Sequence, residues 1–516
     1  MNKFCILAAG RGTRNTDVPG LHKALLPLEN KPIISHIIDK LDSNVEIVIA
    51  LGYKANQIKS YLTSIHSDRK FIFVTVDNFD KKGSGPGYSL LCCKSNLQEP
   101  FVFTSVDTLY ECDIDIMSID EDWMGTSTVP IEESVNYCLV KGSKYLDSLY
   151  FGTGTKAYIG MAGIKDYKGY WKALEEHKMI KDEYQVIHGF DGLKNIKLLD
   201  IKWYDTGNDE AYKKVRKVFN KDIVANKSDE VLFIEKNKVV KYFEDESRNN
   251  VRVERVNYLN GNTPDILKLN ENMYQYDFID ASLLSETCDE YALDSFLSFC
   301  QSQLWIKTFN KTKSFHDSCV LMYKQKTEKR TASLKGCELD KIKTINGVSV
   351  PPVESIISSI NWNDIYNKAV PSLFHGDLQP ENILYNKETS KFTLIDWREG
   401  FGSSVEVGDV YYDLSKLYHA LAINGSIVLN RGYDYKINGD SAEISFQARS
   451  NLMYLMESLE KFTKNNGYCW NNVRILGSLH HLNICTLYDN FHNGDYGRFL
   501  FLYAKYLLTK KLREQI

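Results

Sequence analysis

Two groups of residues have the types and spacing for phosphate chemistry. The first opens the chain: Leu7, Ala8, Ala9, Gly10, Arg11, Gly12, Thr13 and Arg14, followed by Lys23 in HKALLPL. Glycines let backbone N–H groups come close to a phosphate, and a loop entering a helix favours an anion. Arg14 and Lys23 add the positive charge that a triphosphate needs. The second group is FHGDLQPENILYN (374–386) followed by FTLIDWREGFG (392–402). Phosphoryl transfer to an alcohol needs a carboxylate beside the hydroxyl and oxygen ligands for Mg²⁺ on the phosphates. Asp377 fits the first role, and Asn382 and Asp396 fit the second. His375 reads as a residue that braces this loop.

The elements that carry these groups change character along the chain. Apolar runs at 4–9, 45–51, 71–76 and 101–107 read as strands, and 32–41, 56–65 and 88–97 have helical spacing. Buried strands alternating with helices predict an α/β fold, a mostly parallel sheet covered on both faces. A helix is expected at 209–221. The polar stretch 220–230 reads as a domain boundary, giving domains 1–225 and 226–516. Beyond it, 231–244 reads as a hairpin turning at Asn237, 249–259 as a helix and 273–280 as a strand. From about 290 the chain reads as mainly helical, interrupted by the strand pair ENILYN and FTLIDW. A small sheet lobe followed by a helical lobe is an α+β, bilobal arrangement.

Composition narrows the function classes. The 516 residues are 43% hydrophobic and 25% charged, values of an ordinary globular chain. A net charge of −4, from 63 Lys+Arg against 67 Asp+Glu, argues against a broad nucleic-acid footprint. Eleven cysteines without a repeated C-x-x-C predict reduced thiols in a cytoplasmic protein. The apolar run in MNKFCILAAG is too short for a signal peptide core, and no run is long enough for a membrane span.

The string L-A-A-G-x-G-T-R, then K-A-L-L-P and NKPII, resembles the nucleotidyltransferases that join a nucleoside triphosphate to a sugar phosphate or a phosphocholine-type alcohol phosphate. The resemblance extends over about 1–220 and implies a Rossmann-like domain. It implies that Asp107, in FTSVDTLY, and Asp205, in KWYDTGN, are the ligands of a Mg²⁺ that also binds substrate phosphates. It places Gly85, in GSGPGYSLL, near base and ribose. It places Gly163, in GMAGI, beside the second substrate, with Lys156 as a phosphate contact.

The second group, with GDVYYDLSKL (408–417), resembles the choline kinase and aminoglycoside phosphotransferase family, relatives of protein kinases. This resemblance covers about 226–516. It implies that Asp409 and Asp413 brace the catalytic loop, that Lys241 meets the nucleotide phosphates and that Glu254 is its helix partner. No Gly-rich loop precedes Lys241, and QPEN stands where H-x-G-N is commoner. Together the two resemblances imply a bifunctional enzyme. It would phosphorylate a small alcohol (a polyol, sugar or amino alcohol) with ATP, then couple the phosphate to a nucleotide, with CTP favoured, releasing pyrophosphate. The product would be an activated precursor for surface polysaccharide or lipid headgroup synthesis. Two alternatives stay open: a sugar 1-kinase fused to a uridylyl-, guanylyl- or thymidylyltransferase, and a transferase carrying a non-catalytic kinase-like scaffold lobe. The oligomeric state and the acceptor alcohol are not legible.

Overall fold

Strand β1 (Lys3–Ala8) is the centre around which the first half of the chain is built. The structure is a computed structural model that describes residues 1–12, 18–176, 183–219, 229–307, 309–423, 425–448, 452–488 and 491–514. The chain forms two compact units. One comprises Met1–Glu246 with Leu267–Tyr276, the other Ser247–Ile266 with Asp277–Ile516. The residues on either side of the expected 225/226 boundary lie outside the described residues.

In the first unit, β1 is followed by α1 (Ile33–Ile38), β2 (Glu46–Leu51), α2 (Ala55–Ile65), β3 (Lys70–Thr75), α3 (Pro86–Cys92) and β4 (Phe101–Ser105). Then come β5 (Thr108–Glu111), β6 (Trp123–Thr128), β7 (Leu139–Lys141), β8 (Ser148–Tyr150) and β9 (Lys156–Ile164). The region up to residue 219 closes with β10 (Lys197–Asp200), β11 (Lys202–Asp205) and α4 (Asp209–Phe219). The main sheet runs β8-β7-β9-β4-β1-β2-β3, with β6 paired to β9 and β10 to β6. β1 pairs in parallel with both β2 and β4, and β2 with β3. β9 is antiparallel to β4. The sheet is therefore mostly parallel on the β1 side, as the apolar runs predict. Phe4 to Ala8 are buried throughout, because helices cover both faces. In α2 the spacing of Ile58, Tyr61, Leu62 and Ile65 sets one apolar stripe against the sheet.

Chain order reverses at β1: β2 and β3 lie on one side and β4 on the other. In open α/β sheets such a switch opens a crevice at the carboxyl ends of the strands. The Gly10–Gly12 loop leaves the carboxyl end of β1, and Asp107 follows β4.

The small sheet departs from the expected division. β12 (Glu230–Glu235), β13 (Lys238–Phe243), β14 (Leu267–Asn270) and β15 (Met273–Asp277) form one sheet in the order β12-β13-β15-β14. Lys236 and Asn237 both have positive φ, 47° and 57°, which makes the tight hairpin turn anticipated at Asn237. This sheet falls in the first unit, not with the chain that follows it. The reason is apolar: Val231, Phe233, Val240, Tyr242 and Met273 share a buried core with Ile33, Tyr61 and Leu62.

The second unit begins on α5 (Glu246–Arg255) and is mainly helical. The elements that matter below are α6 (Lys326–Thr331), the antiparallel pair β16 (Ile383–Asn386) and β17 (Lys391–Leu394), α7 (Val410–Ala422) and α8 (Trp470–Ile484). A hairpin of Tyr433–Asn438 against Ser441–Phe446 was not anticipated, although Asn438-Gly439 is its turn signal. All eleven cysteines are free. No helix among the described residues is long and apolar enough to cross a membrane.

Candidate active sites

At the carboxyl end of β1, Leu7, Ala8 and Ala9 are buried and Gly10 is exposed. Gly12 takes φ +61°, and a Cβ there would press on the Lys23 side chain at 3.0 Å. The glycine thus lets the loop close over the lysine stem. His22 fixes the loop from beneath. Its Nδ1 accepts from the Ala24 amide at 3.0 Å, so its protonated Nε2 donates to the Gly10 carbonyl at 3.2 Å. Burial, helped by the neighbouring Lys23 charge, lowers the His22 pKa to about 3, which keeps the ring neutral. Thr13 and Arg14 lie outside the described residues.

Lys23 Nζ meets Asp107 Oδ2 at 2.7 Å, and Ser105 donates to Oδ1 of the same carboxylate. Burial alone would raise the Asp107 pKa. The Lys23 charge and hydrogen bond, with Ser105, overcome it and hold the carboxyl at about 2. Asp205 arrives through the β5–β11 ribbon, where it stands opposite Thr108. Its Oδ1 accepts from the Gly207 amide at 2.8 Å and its Oδ2 from the Tyr137 hydroxyl at 3.1 Å. A Cβ on Gly207 would lie 3.0 Å from Asp205 Oδ1 and 3.5 Å from Asp107 Oδ2. The two carboxylates thus converge around a residue that offers no side chain. Two hard oxygen donors at close quarters fit Mg²⁺, so Asp107 and Asp205 would hold it.

The remaining assignments in this unit divide. Gly85 has φ +117° and precedes α3, where a Cβ would meet the Tyr184 carbonyl at 2.7 Å. Lys156 begins β9 opposite Thr128 and is half-buried. Gly163 is buried, and a Cβ there would fall 2.0 Å from the Trp123 indole nitrogen. Gly160 of the same string, GMAGI, stands beside the residues that flank Asp107. It has φ +79°, and its Cβ position is 3.3 Å from Thr108 Oγ1 and 3.5 Å from Ser105 Cβ. Both glycines occur in one short string, so the sequence alone does not separate their two environments.

In the second unit, Asp377 Oδ1 pairs with Lys416 Nζ at 2.8 Å and accepts from Gln379 Nε2 at 2.8 Å. Asn382 Nδ2 donates to the Asp377 carbonyl at 2.8 Å and reaches its Oδ2 at 3.3 Å. Burial works to raise the Asp377 pKa, but Lys416 and Gln379 bring it to about 2. Asp396 has φ +60°, and Arg252 on α5 binds its Oδ1 at 2.6 Å. Asn382 and Asp396 carry hard oxygen donors on the loop and strand end that flank Asp377, a donor set suited to Mg²⁺.

Asp413 and His375 tie this loop to its surroundings, and Asp409 ties the neighbouring segment. Asp413 accepts from the His375 and Gly376 amides at 2.8 and 2.7 Å and from the Trp305 indole at 3.1 Å. Asp409 accepts from Tyr323 at 2.6 Å and from the Val370 and Tyr411 amides. Burial raises both carboxyls to about 6. His375 Nε2 bonds the Ile395 carbonyl at 3.0 Å, and burial lowers its pKa to about 4.

Lys241 and Glu254 fall in different compact units. Lys241 is buried 3.7 Å from Glu230, whereas Glu254 is exposed. The buried positions of α5 are Asn249, Arg252 and Arg255. Arg252 also binds Glu399, and Arg255 donates to the Phe374 carbonyl at 2.6 Å. Lys416, Arg252 and Arg255 escaped the sequence reading because each lies far along the chain from the group it serves.

Residues 4–113 match the model of the MobA-like NTP transferase domain. The N-terminal unit thus contains a Rossmann-like nucleotidyltransferase domain with a mostly parallel sheet. Over 131 residues the chain is 30% identical to the Bifunctional protein GlmU of Methanococcus vannielii, covering 25% of this chain and 30% of that protein. Over 64 residues it is 44% identical to the GlmU of Enterococcus faecalis, covering 12% and 14%. The chain spans about three tenths of the length of the first of these curated relatives. Among solved structures, a UDP-glucose pyrophosphorylase complexed with UDP-glucose has a TM-score of 0.38 at 20% identity, covering 43% of this chain and 99% of that one. The CTP:phosphocholine cytidylyltransferase of Streptococcus pneumoniae has a TM-score of 0.36 at 17% identity, covering 42% and 98%.

Proposed function

We propose that the chain is a bifunctional enzyme: its second unit phosphorylates a small alcohol with ATP, and its N-terminal unit couples the resulting phosphate ester to a nucleoside triphosphate. CTP is the favoured nucleotide, and the product is an activated precursor for surface polysaccharide or headgroup synthesis. The order of reactions follows from chemistry, because the transferase consumes a phosphate monoester.

In the kinase step the alcohol oxygen attacks the γ-phosphorus, the bond to ADP breaks, and the hydroxyl proton passes to Asp377. A carboxylate held at about 2 is ionised at neutral pH and able to accept it. In the transferase step an oxygen of the phosphate ester attacks the α-phosphorus of the triphosphate and pyrophosphate leaves. Lys23 places a fixed positive charge where negative charge gathers. When bound, Mg²⁺ supplies further neutralisation of the phosphates in both steps. The observation that carries the two-activity reading is the loop at 374–382. There Asp377 is ionised, oriented by Asn382 and Gln379, and braced through Asp413.

The test separates the two activities in the full chain. Asp377→Asn keeps shape and hydrogen bonding but removes the proton acceptor, so alcohol-dependent ADP release should collapse while ATP·Mg²⁺ binding survives. Asp107→Ala should abolish pyrophosphate release and leave ADP release intact. If no alcohol stimulates ADP release and ATP does not bind, the second unit is a scaffold.

A further inference from the structure

Trp203 and Asp205 stand two residues apart on β11, so their side chains leave the same face of the strand. On that face Tyr137 touches both. Its ring meets the Trp203 indole edge-to-face, with centroids 5.2 Å apart at 76°. Its hydroxyl donates to Asp205 Oδ2 at 3.1 Å. The tyrosine is also held from its own side. Tyr137 and Trp203 both pack on Val129, Leu139 and Ala157. The Tyr137 amide donates to the Ser134 carbonyl at 3.1 Å, and the Tyr158 amide on β9 donates to the Cys138 carbonyl that follows at 2.9 Å. A ring held this way sets its hydroxyl at a fixed place.

The end of β11 is tied to Asp107 as well. Thr206, wholly buried, donates to the Asp107 carbonyl through its amide and its hydroxyl, each at 3.0 Å. Asp205 Oδ1 accepts from the Gly207 amide, so the main chain fixes one oxygen of this carboxylate. The Tyr137 hydroxyl fixes the other. A carboxylate held at both oxygens cannot rotate freely, yet it keeps lone pairs for a cation. Packing alone needs no hydroxyl, because phenylalanine would fill the same space against Trp203. We infer that Tyr137 is a positioning residue: its hydroxyl fixes the orientation of Asp205 beside Asp107 and thereby sets the affinity of the pair for a divalent cation. This rests on the reading of Asp107 and Asp205 as cation ligands. Hydrogen bonds to ligating groups change metal affinity by roughly 10–100-fold.

The test uses the full chain and Mn²⁺ alone, with the bound ion followed by electron paramagnetic resonance. Asp205→Ala identifies the component of Mn²⁺ binding that belongs to this site. Tyr137→Phe should weaken that component by about tenfold or more and leave the metal-free melting temperature near that of the parent. Tyr137→Leu removes ring and hydroxyl together and reports what the packing contributes. If Tyr137→Phe binds Mn²⁺ as the parent does, the inference is overturned, whether or not Tyr137→Leu loses affinity. A Tyr137→Phe chain that loses affinity but melts as low as Tyr137→Leu without metal also overturns it, because the hydroxyl then serves the fold. Both of these results leave the metal reading of Asp107 and Asp205 standing. If Asp205→Ala removes no component of Mn²⁺ binding, that reading falls and the inference falls with it.

Discussion

Lys23 shows how one side chain sets the state of another. Its ammonium holds Asp107 ionised in a place where burial alone would favour the neutral acid. The same charge stands beside the loop at the end of β1, where a triphosphate would gather several negative charges. Preplaced cations act strongly in a partly dehydrated site, so Lys23→Ala should lower kcat/KM for pyrophosphate release by roughly 10²-fold or more. Steady-state kinetics with saturating Mg²⁺ measure this, and a loss under about threefold would make Lys23 a structural partner of Asp107 only. At this scale Gly12, Lys23, Asp107 and Asp205 stand in local strings that the sequence displays, and the structure brings Lys23 and both carboxylates together. Glycine spacing cannot tell the neighbours of Gly160, Thr108 and Ser105, from the Trp123 indole beside Gly163. Lys416 was invisible because its tie to Asp377 spans tertiary distance.

At the scale of elements, the loop at 374–382 is held by the start of α7. Asp413 binds two successive amides, His375 and Gly376, that lead into Asp377. Its carboxyl is raised to about 6 in the folded chain, against an ordinary 3.8. The sign follows: the folded state holds this proton more tightly than the unfolded state. The stabilisation is full below about pH 4 and is lost as pH rises through about 6. Asp413→Asn removes that pH-dependent part but offers one acceptor oxygen where the carboxylate offers two. One buried amide is left unpaired, at a cost of about 1–3 kcal/mol. The variant should melt lower at pH 5, and its loss of stability between pH 4 and 7 should be shallower than that of the parent. Thermal unfolding across this range reads both effects. A parallel pH dependence in the two proteins would mean that Asp413 does not carry the titration. Strands and helices with clean periodicity, such as β1, β2, α2 and the β12–β13 hairpin, were legible within a few residues. The hairpin at 433–446 was passed over because its residues sit in a region otherwise dominated by helical spacing.

For the whole molecule, the sequence suggests a cut at 225/226, because a polar stretch follows one complete motif set and precedes another. The packing argues differently. Val231, Phe233, Val240, Tyr242 and Met273 bury their side chains in the core of the first unit. Polar contacts add to this: Tyr61 donates to Glu235 at 2.9 Å, and Ser64 to Gln275 at 2.6 Å. His66, wholly buried, lies 3.3 Å from Glu235, and Lys31 binds Asp39 on the other side of the imidazole. Composition cannot reveal this attachment, since the apolar face of a small sheet looks the same whichever neighbour covers it. At about 1.5–3 kcal/mol for each buried apolar side chain, the five together are worth on the order of 10 kcal/mol. That is comparable to the whole stability of a typical domain. A fragment ending at residue 225 would expose the side of the first core that this sheet covers, and one starting at 226 would expose the sheet face. Both should therefore aggregate or melt well below the intact chain, and pyrophosphate release by 1–225 should be lost through instability rather than chemistry. Extending the first fragment to 276 restores β12 to β15 and should recover solubility and cooperative unfolding. Solubility and melting curves of 1–225 and 1–276 side by side decide it: a 1–225 fragment as stable as 1–276 would show that the small sheet contributes little to the first unit.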